Sequence, residues 1–322
     1  MGLYSITTKI LKSILEVNPS IKIICVGDDW QSINSFMGAK LLFFRKLNEH
    51  FPTLQKNYIL TNYRSKGEIV DYGNTIMSGR GDPSISFNEG GNIFYLNISE
   101  VKNSKEFNLY RGKEHQKFDD GFRLERYHKL LFILIKKEIK KIIKDKSIEK
   151  FDYFPEKNDF LILSRKRELN SESLGRTFIQ ILIMSLSKEF ASIFSKEKVQ
   201  NIELKLKKLI RFKTIHEIKG GEAKTVFLID ADKNNMPLRH PDRELSSIFY
   251  DNPNFADKEA DEEERRIYYV GATRAKNTLY VISGNERSEF MMSVDDKEFT
   301  PLEDFYDESD YQREDSKYKT PF

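Results

Sequence analysis

The chain has 322 residues, 39% hydrophobic and 32% charged, with 24 Phe and 15 Tyr; that balance buries a real core across about two domains and excludes wholesale disorder. Lys and Arg number 53 and Asp and Glu 50, so a net charge of +3 does not announce a nucleic-acid binder and any basic surface must be local. The one cysteine, Cys25, lies in the apolar run Ile23-Ile24-Cys25-Val26 and reads as a buried strand residue in a reducing compartment. Met1 to Val17 mixes Lys9 and Lys12 among isolated apolar residues, unlike a signal peptide. The most apolar stretch, Leu130 to Ile135, is far short of the roughly 20 residues a membrane helix needs. The expectation is a cytoplasmic protein with no membrane partner.

Ser5 to Val17 has helical spacing, and Asn18-Pro19 ends it. Ile21 to Val26 reads as a short strand closed by Gly27-Asp28-Asp29, and Tyr58 to Thr61 as another that runs into a helix over Lys66 to Met77. Ser78 to Asn92, rich in glycine, reads as a loop; Ile93 to Ile98 reads as a strand. Arg123 to Lys146 is an amphipathic helix. Leu131, Ile135 and Ile139 share one face, and Lys136, Lys137, Lys140, Lys141 and Lys144 share another, which reads as a solvated surface. Asp159 to Ser164 is a strand, followed by helical patterning through Leu186 and from Val199 to Ile210. Lys224 to Asp230 and Thr278 to Ser283 are buried strands, and the acidic stretch after Ser293 reads as a solvated tail. Strands separated by helices predict a mostly parallel sheet covered on both faces.

Four segments carry chemistry. Gly27-Asp28-Asp29-Trp30-Gln31-Ser32-Ile33-Asn34-Ser35-Phe36 follows a strand end, where α/β sheets place ligands, although Gly-Asp-Asp alone fits a simple turn. Asn62-Tyr63-Arg64-Ser65 offers a guanidinium suited to phosphate; by itself it also fits a turn with Ser65 as N-cap. Thr214-Ile215-His216-Glu217-Ile218-Lys219-Gly220-Gly221-Glu222 brings glycines that admit close backbone approach and a carboxylate that accepts from sugar hydroxyls. His216 alone fits a structural histidine. The helix from Glu262 to Ala272 delivers Thr273-Arg274 just before a strand, where an Arg reaches a phosphate across an interface or simply ends a solvated helix.

Together and in this order, the four segments resemble the C-terminal half of superfamily 1 helicases of the UvrD/Rep type, and Gly-Asp-Asp-Trp-Gln-Ser-Ile is similar to the helicase IV branch. The resemblance implies a RecA-like second motor domain over residues 52–290, preceded by a remnant of the first motor domain over residues 1–51 and followed by an acidic tail over residues 291–322. It implies ATP hydrolysis driving 3′-to-5′ movement on single-stranded DNA, with ATP and Mg2+ as cofactors. Gln31 then senses the γ-phosphate, Tyr63 stacks on adenine, Arg64 contacts the γ-phosphate, Gly220 and Glu222 lie at the nucleotide with Glu222 on the ribose, and Arg274 is the arginine finger. Phe36 stacks on single-stranded bases, and Asn34, Thr214 and His216 stand at DNA positions. Asn34 and Met37 depart from the usual tyrosine and arginine, weakening DNA contacts. Gly221 and Ile218 replace a leucine and a small residue, which predicts a looser loop before Glu222.

Neither Gly-x-x-x-x-Gly-Lys-Ser/Thr nor an Asp-Glu pair ending an apolar strand occurs in the 322 residues. The reading is therefore a helicase half whose phosphate loop and Mg2+ ligands belong to an N-terminal half on a separate chain, with no metal ligands of its own. It predicts that nothing is hydrolysed alone, and that the apolar N-terminal remnant is exposed or docked on the second domain. The alternative is a truncated, non-enzymatic remnant or a DNA- or partner-binding module.

Overall fold

A computed structural model describes residues 3–34, 41–101, 120–145, 159–166, 172–173, 176–194, 198–238, 253–284, 286–292 and 299–305. In chain order the elements are α1 (Leu3–Val17), α2 (Leu41–Arg45), α3 (Leu47–His50), β1 (Thr61–Lys66), α4 (Gly67–Ile76), β2 (Ile85–Asn88), β3 (Asn92–Asn97), α5 (Asp120–Asp145) and β4 (Phe160–Ser164). There follow β5 (Glu172–Ser173), β6 (Arg176–Thr177), α6 (Phe178–Ile193), α7 (Val199–Leu209), β7 (Ile210–Thr214), β8 (Ala223–Leu228), α8 (Pro253–Ala272), β9 (Ala275–Ser283) and α9 (Glu289–Met292).

The central sheet has five strands in the order β3-β9-β8-β4-β7, and every neighbouring pair is parallel. Period-two alternation divides its side chains between two cores. Phe160, Ile162, Phe227, Tyr280 and Ile282 face α5, α6 and α7. Leu161, Leu163, Val226, Leu228, Leu279 and Val281 face α4 and α8. Both faces are dry, as parallel strands require, and the predicted α/β architecture holds. On the second face α4 lies so close to α8 that a Cβ at Gly73 would stand 3.0 Å from both Thr273 and Tyr269.

Several local expectations fail, each for a reason. Ile21 to Val26 is not a strand; no described strand pairs with it, and Ile24 and Val26 are 88% and 89% exposed. Cys25 is accordingly exposed rather than buried. The strand expected at Tyr58 to Thr61 begins at Thr61, so the Asn62–Ser65 segment lies within β1 and not after it. The loop expected over Ser78 to Asn92 contains β2, which pairs parallel with β1 in a separate two-stranded ribbon. The helical pattern expected through Ile210 stops at Leu209, and β7 begins at Ile210 directly after α7. On α5, Lys136 is buried rather than solvated, its ammonium 5.7 Å from the Phe132 ring. Within the acidic C-terminal stretch, Leu302 and Phe305 are buried and join the first core, while the remaining acidic residues after Ser293, apart from Glu303 and Asp304, lie outside the described residues.

The N-terminal segment is both docked and bare. Trp30 and Ile33 are buried in the α4–α8 core, whereas Ile10, Ile14, Val17, Ile24 and Val26 are exposed.

Candidate functional site

The docking of Trp30 sets the site. Its indole lies edge-on to Tyr269 with ring centroids 5.4 Å apart, and its Nε1 donates to Arg80 O at 3.2 Å. Arg80 is itself clamped by Glu262, its Nε and Nη2 donating at 2.6 and 2.7 Å. From α8, Arg266 Nε donates to Ser32 O at 2.7 Å. The short turn Asp29–Gln31 is capped by Asp28, which accepts from the Trp30 amide at 3.0 Å and from Gln31 Nε2. These contacts leave Gln31 one way to point: its Oε1 accepts from Arg274 Nη2 at 3.2 Å.

Arg274 stands in the tight turn between α8 and β9 and is fully buried, so it is no arginine on a solvated helix end. Its Nε donates to Val270 O at 2.8 Å and its Nη1 to Gly221 O at 3.2 Å. All three nitrogens are thus satisfied by three separate segments, which is what a buried guanidinium needs. Burial, and then the neighbouring Arg64, lower its pKa to about 10, so it stays charged at neutral pH.

Arg64 comes from β1. Its Nη2 donates to Thr273 O at 3.0 Å, and its Nε stands 3.9 Å from Glu222 Oε2 with no hydrogen bond. Ser65 does not cap α4; its Oγ donates to Ala275 O at 2.8 Å and ties β1 to the start of β9, while α4 begins after Lys66 without a side-chain cap. Glu222 also pairs with Lys276, and its backbone carbonyl accepts from Arg211 Nη2 at 2.9 Å. Gly220 just before it adopts φ +85°, a left-handed conformation that favours glycine.

The loop before Glu222 is not loose. A Cβ at Gly221 would lie 2.6 Å from Ile218 Cδ1, and Ile218 is buried in the α4–α8 core. The isoleucine side chain occupies the space that a residue at 221 would use. The two departures from the resembled pattern compensate one another.

Gln31, Arg64, Glu222 and Arg274 therefore converge. Tyr63 sits beside Arg64 in β1 and is 67% exposed against Phe87. Thr214 ends β7, where it and Glu217 exchange hydrogen bonds at 3.0 and 3.3 Å. His216 reaches the backbone of Ile33, one residue from the half-buried Asn34; its pKa is lowered by burial and by Arg165. Phe36 and Met37 lie outside the described residues. Sequence reasoning missed Lys276, Arg211 and Phe87. The alternation Ile85-Ser86-Phe87-Asn88 is legible as a strand and would have found the last.

Chemically, Arg64, Arg274 and Lys276 outweigh Glu222 and the nearby Asp28, and Arg64 holds a buried N–H without a hydrogen bond. That set fits a phosphate oxygen and a sugar hydroxyl. Among the described residues no group of three His, Cys, Asp or Glu stands ready to hold a metal ion. Among the same residues no helix is long and apolar enough to cross a membrane.

A parallel α/β domain with converging arginines at the amino ends of the interior strands β8 and β9 defines the class, and comparison with known proteins gives the family. The chain belongs to the UvrD-like helicase C-terminal domain family, whose sequence model matches residues 86–286, and its α/β fold is the RecA-like one of that family. The match encloses Thr214, His216, Glu222 and Arg274, while Gln31, Tyr63 and Arg64 precede it. The chain is 29% identical over 160 residues to the ATP-dependent DNA helicase PcrA of Bacillus subtilis, covering 49% of this chain and 19% of that protein. It is 26% identical over 166 residues to the RecBCD enzyme subunit RecB of Borreliella burgdorferi, covering 48% of this chain and 14% of that protein. Each match thus spans less than a fifth of the relative. A solved structure described as the C-terminal domain of a possible DNA helicase from Lactobacillus plantarum aligns with a TM-score of 0.31 at 13% identity, over 73% of this chain and 95% of that one.

Proposed function

We propose that this chain supplies the arginine-bearing wall of an ATP cleft in a UvrD-like DNA helicase motor. The observation that carries the reading is the junction of Gln31 Oε1 with Arg274 Nη2 at 3.2 Å, across 243 residues of sequence, beside Arg64 and Glu222. In this reading residues 1–51 belong with the first motor domain, residues 52–290 form the second, and residues 291–322 follow as a tail. The apolar surface left bare at Ile24 and Val26 is the part of the first unit that the rest of that domain covers.

The phosphate loop and the Mg2+ carboxylates come from a domain outside these 322 residues. Mg2+, held there, neutralises phosphate charge. This chain's residues do the rest: Arg64 and Arg274 contact the γ-phosphate, Gln31 reports its presence, and Glu222 holds the ribose. An arginine finger acts by stabilising charge on the transferring phosphoryl group. Arg274 donates to Val270 O, Gly221 O and Gln31 Oε1, so a γ-phosphate competes with these partners for it; loss of the phosphate returns it to them and lets the two domains open. His216, Thr214, Asn34 and Phe36 line the path of single-stranded DNA, and the movement is 3′-to-5′.

The test is DNA-stimulated ATP hydrolysis by the purified chain, alone and mixed with a phosphate-loop domain of a UvrD-like helicase. The reading expects silence alone and turnover on mixing. Turnover by the isolated chain refutes it.

A further inference from the structure

The backbone around Glu222 is fixed from three sides. Arg211 Nη2 donates to its carbonyl at 2.9 Å, Arg274 Nη1 donates to the preceding Gly221 O at 3.2 Å, and the following Ala223 amide donates to Arg274 O at 3.0 Å. The side chain alone is left to choose a partner, and two cations stand within its reach. Lys276 Nζ pairs with Oε1. Arg64 Nε stands 3.9 Å from Oε2, and among the described residues this buried N–H has no acceptor. A hydrogen bond between them forms at about 2.7–3.2 Å, so a carboxylate movement of roughly 1 Å would join the two. A buried donor left without an acceptor is costly, and a carboxylate beside it with no other cation would take it. What holds the carboxylate off is its pairing with Lys276.

We propose that Lys276 is a positioning residue: by occupying one oxygen of Glu222 it keeps the carboxylate off Arg64, whose Nε–H stays open to a phosphate oxygen. The proposal rests on the arginine-wall reading above and adds a residue to which that reading gives no part. The sheet is built irregularly at just this point. Ala223 pairs with Ala275 and Thr225 with Thr278, so β9 carries one residue more than β8 between the two pairs, in the stretch Lys276-Asn277. An extra residue of this kind re-aims a side chain and is over-represented next to active sites. Asn277 is exposed, while Lys276 turns to Glu222. Charge leads to the same assignment. A closed bond from Arg64 to Glu222 would satisfy the donor and cancel the charge that an anion needs, whereas the pairing with Lys276 neutralises Glu222 from its other oxygen. Arg64 Nη2 meanwhile donates to Thr273 O at 3.0 Å, which anchors the guanidinium while its Nε–H is kept open.

The experiment reads the Arg64 Nε–H by NMR in the full chain carrying isotope-labelled arginine, the signal being assigned by its loss in Arg64→Ala. Lys276 and Glu222 are part-exposed, so their variants fold, which a thermal melt checks. In Lys276→Met the signal should move downfield and exchange more slowly with water, as Glu222 closes on Arg64. In Lys276→Met with Glu222→Gln, and in Lys276→Arg, it should return toward the wild-type position. The same proteins are titrated with inorganic tripolyphosphate, which has neither base nor ribose and so reads the cations alone. Lys276→Met should weaken tripolyphosphate binding about two- to five-fold in the wild-type background, the effect of one part-exposed ion pair, and by less than about 1.5-fold in the Glu222→Gln background. An unmoved Arg64 signal in Lys276→Met overturns the hold. An equal loss in both backgrounds means that Lys276 touches the phosphate itself, and it overturns the positioning role while the wall stands. If tripolyphosphate does not bind, or Arg64→Ala binds it as well as the wild type does, the wall reading falls, and with it the purpose assigned to Lys276.

Discussion

Truncating Trp30 to alanine should uncover Arg274. The indole is 94% buried, edge-on to Tyr269 at 5.4 Å, with its Nε1 on Arg80 O. Removing a large aromatic from such a site costs about 3–5 kcal/mol, and the carbonyl of Arg80 loses its donor as well, about 1 kcal/mol more. What remains to hold the segment is Ile33 with the His216 contact to its backbone, the bonds from Arg266 to Ser32 O and from Arg274 to Gln31 Oε1, and the Arg45–Asp29 ion pair at 3.0 Å, a surface pair worth less than about 1 kcal/mol. The docked segment should therefore open, and Gln31 should leave Arg274. A loss of about 3–5 kcal/mol corresponds to about two to three and a half orders of magnitude in the protection of the buried guanidinium. Modification by phenylglyoxal, followed by peptide mass spectrometry, reads this directly. In the wild type Arg274 should react far more slowly than the exposed Arg45, and in Trp30→Ala it should approach it. The core between the sheet and α5 to α7 contains neither Trp30 nor its neighbours and serves as the internal control. If Arg274 remains as protected in the variant as in the wild type, the segment is not what covers it.

Gly221→Leu should destabilise the domain by about 1–3 kcal/mol, because its Cβ would meet Ile218 Cδ1 at 2.6 Å; adding Ile218→Ala should recover most of the loss in a denaturant melt, and equal melts for single and double variants would argue against the exchange. His128 is fully buried, edge-on to Phe178 and 3.3 Å from Ser185 Oγ, and burial pushes its pKa down to about 4. A folded pKa below the unfolded value of about 6.5 means that its contribution is complete above pH 6.5 and shrinks as pH falls toward 4. Between pH 7.5 and 5 the wild type should lose about 2 kcal/mol that His128→Gln does not lose, and parallel pH profiles would contradict the assignment.

What could be read from the residues alone follows their physics. Buried strands such as Phe160–Ser164 and Ala223–Leu228 announce themselves as short apolar runs, and α5 by its period, because each needs only its own sequence. Ile21 to Val26 carries the same apolar signature and is no strand, since a strand also needs a neighbour that local patterning cannot supply. β2 was hidden by the glycines around it, and with it Phe87. Of the site, the residue types and their order were legible in the four segments. The pairing of Glu222 with Lys276, the hold of Arg211 on its carbonyl, and the filling of Gly221 by Ile218 were not. The first two are contacts whose spacing in sequence says nothing about distance, and the third depends on which way the Ile218 side chain turns within its own loop.

The central claim is that the guanidinium of Arg274 serves the nucleotide. Its most direct measurement is the single-turnover rate of ATP cleavage on single-stranded DNA by the motor assembled from this chain and a phosphate-loop domain, comparing wild type with Arg274→Ala. The account predicts a fall of about 10³- to 10⁵-fold, as for the loss of an arginine finger, with assembly and DNA binding intact. Cleavage at the wild-type rate in Arg274→Ala would contradict it.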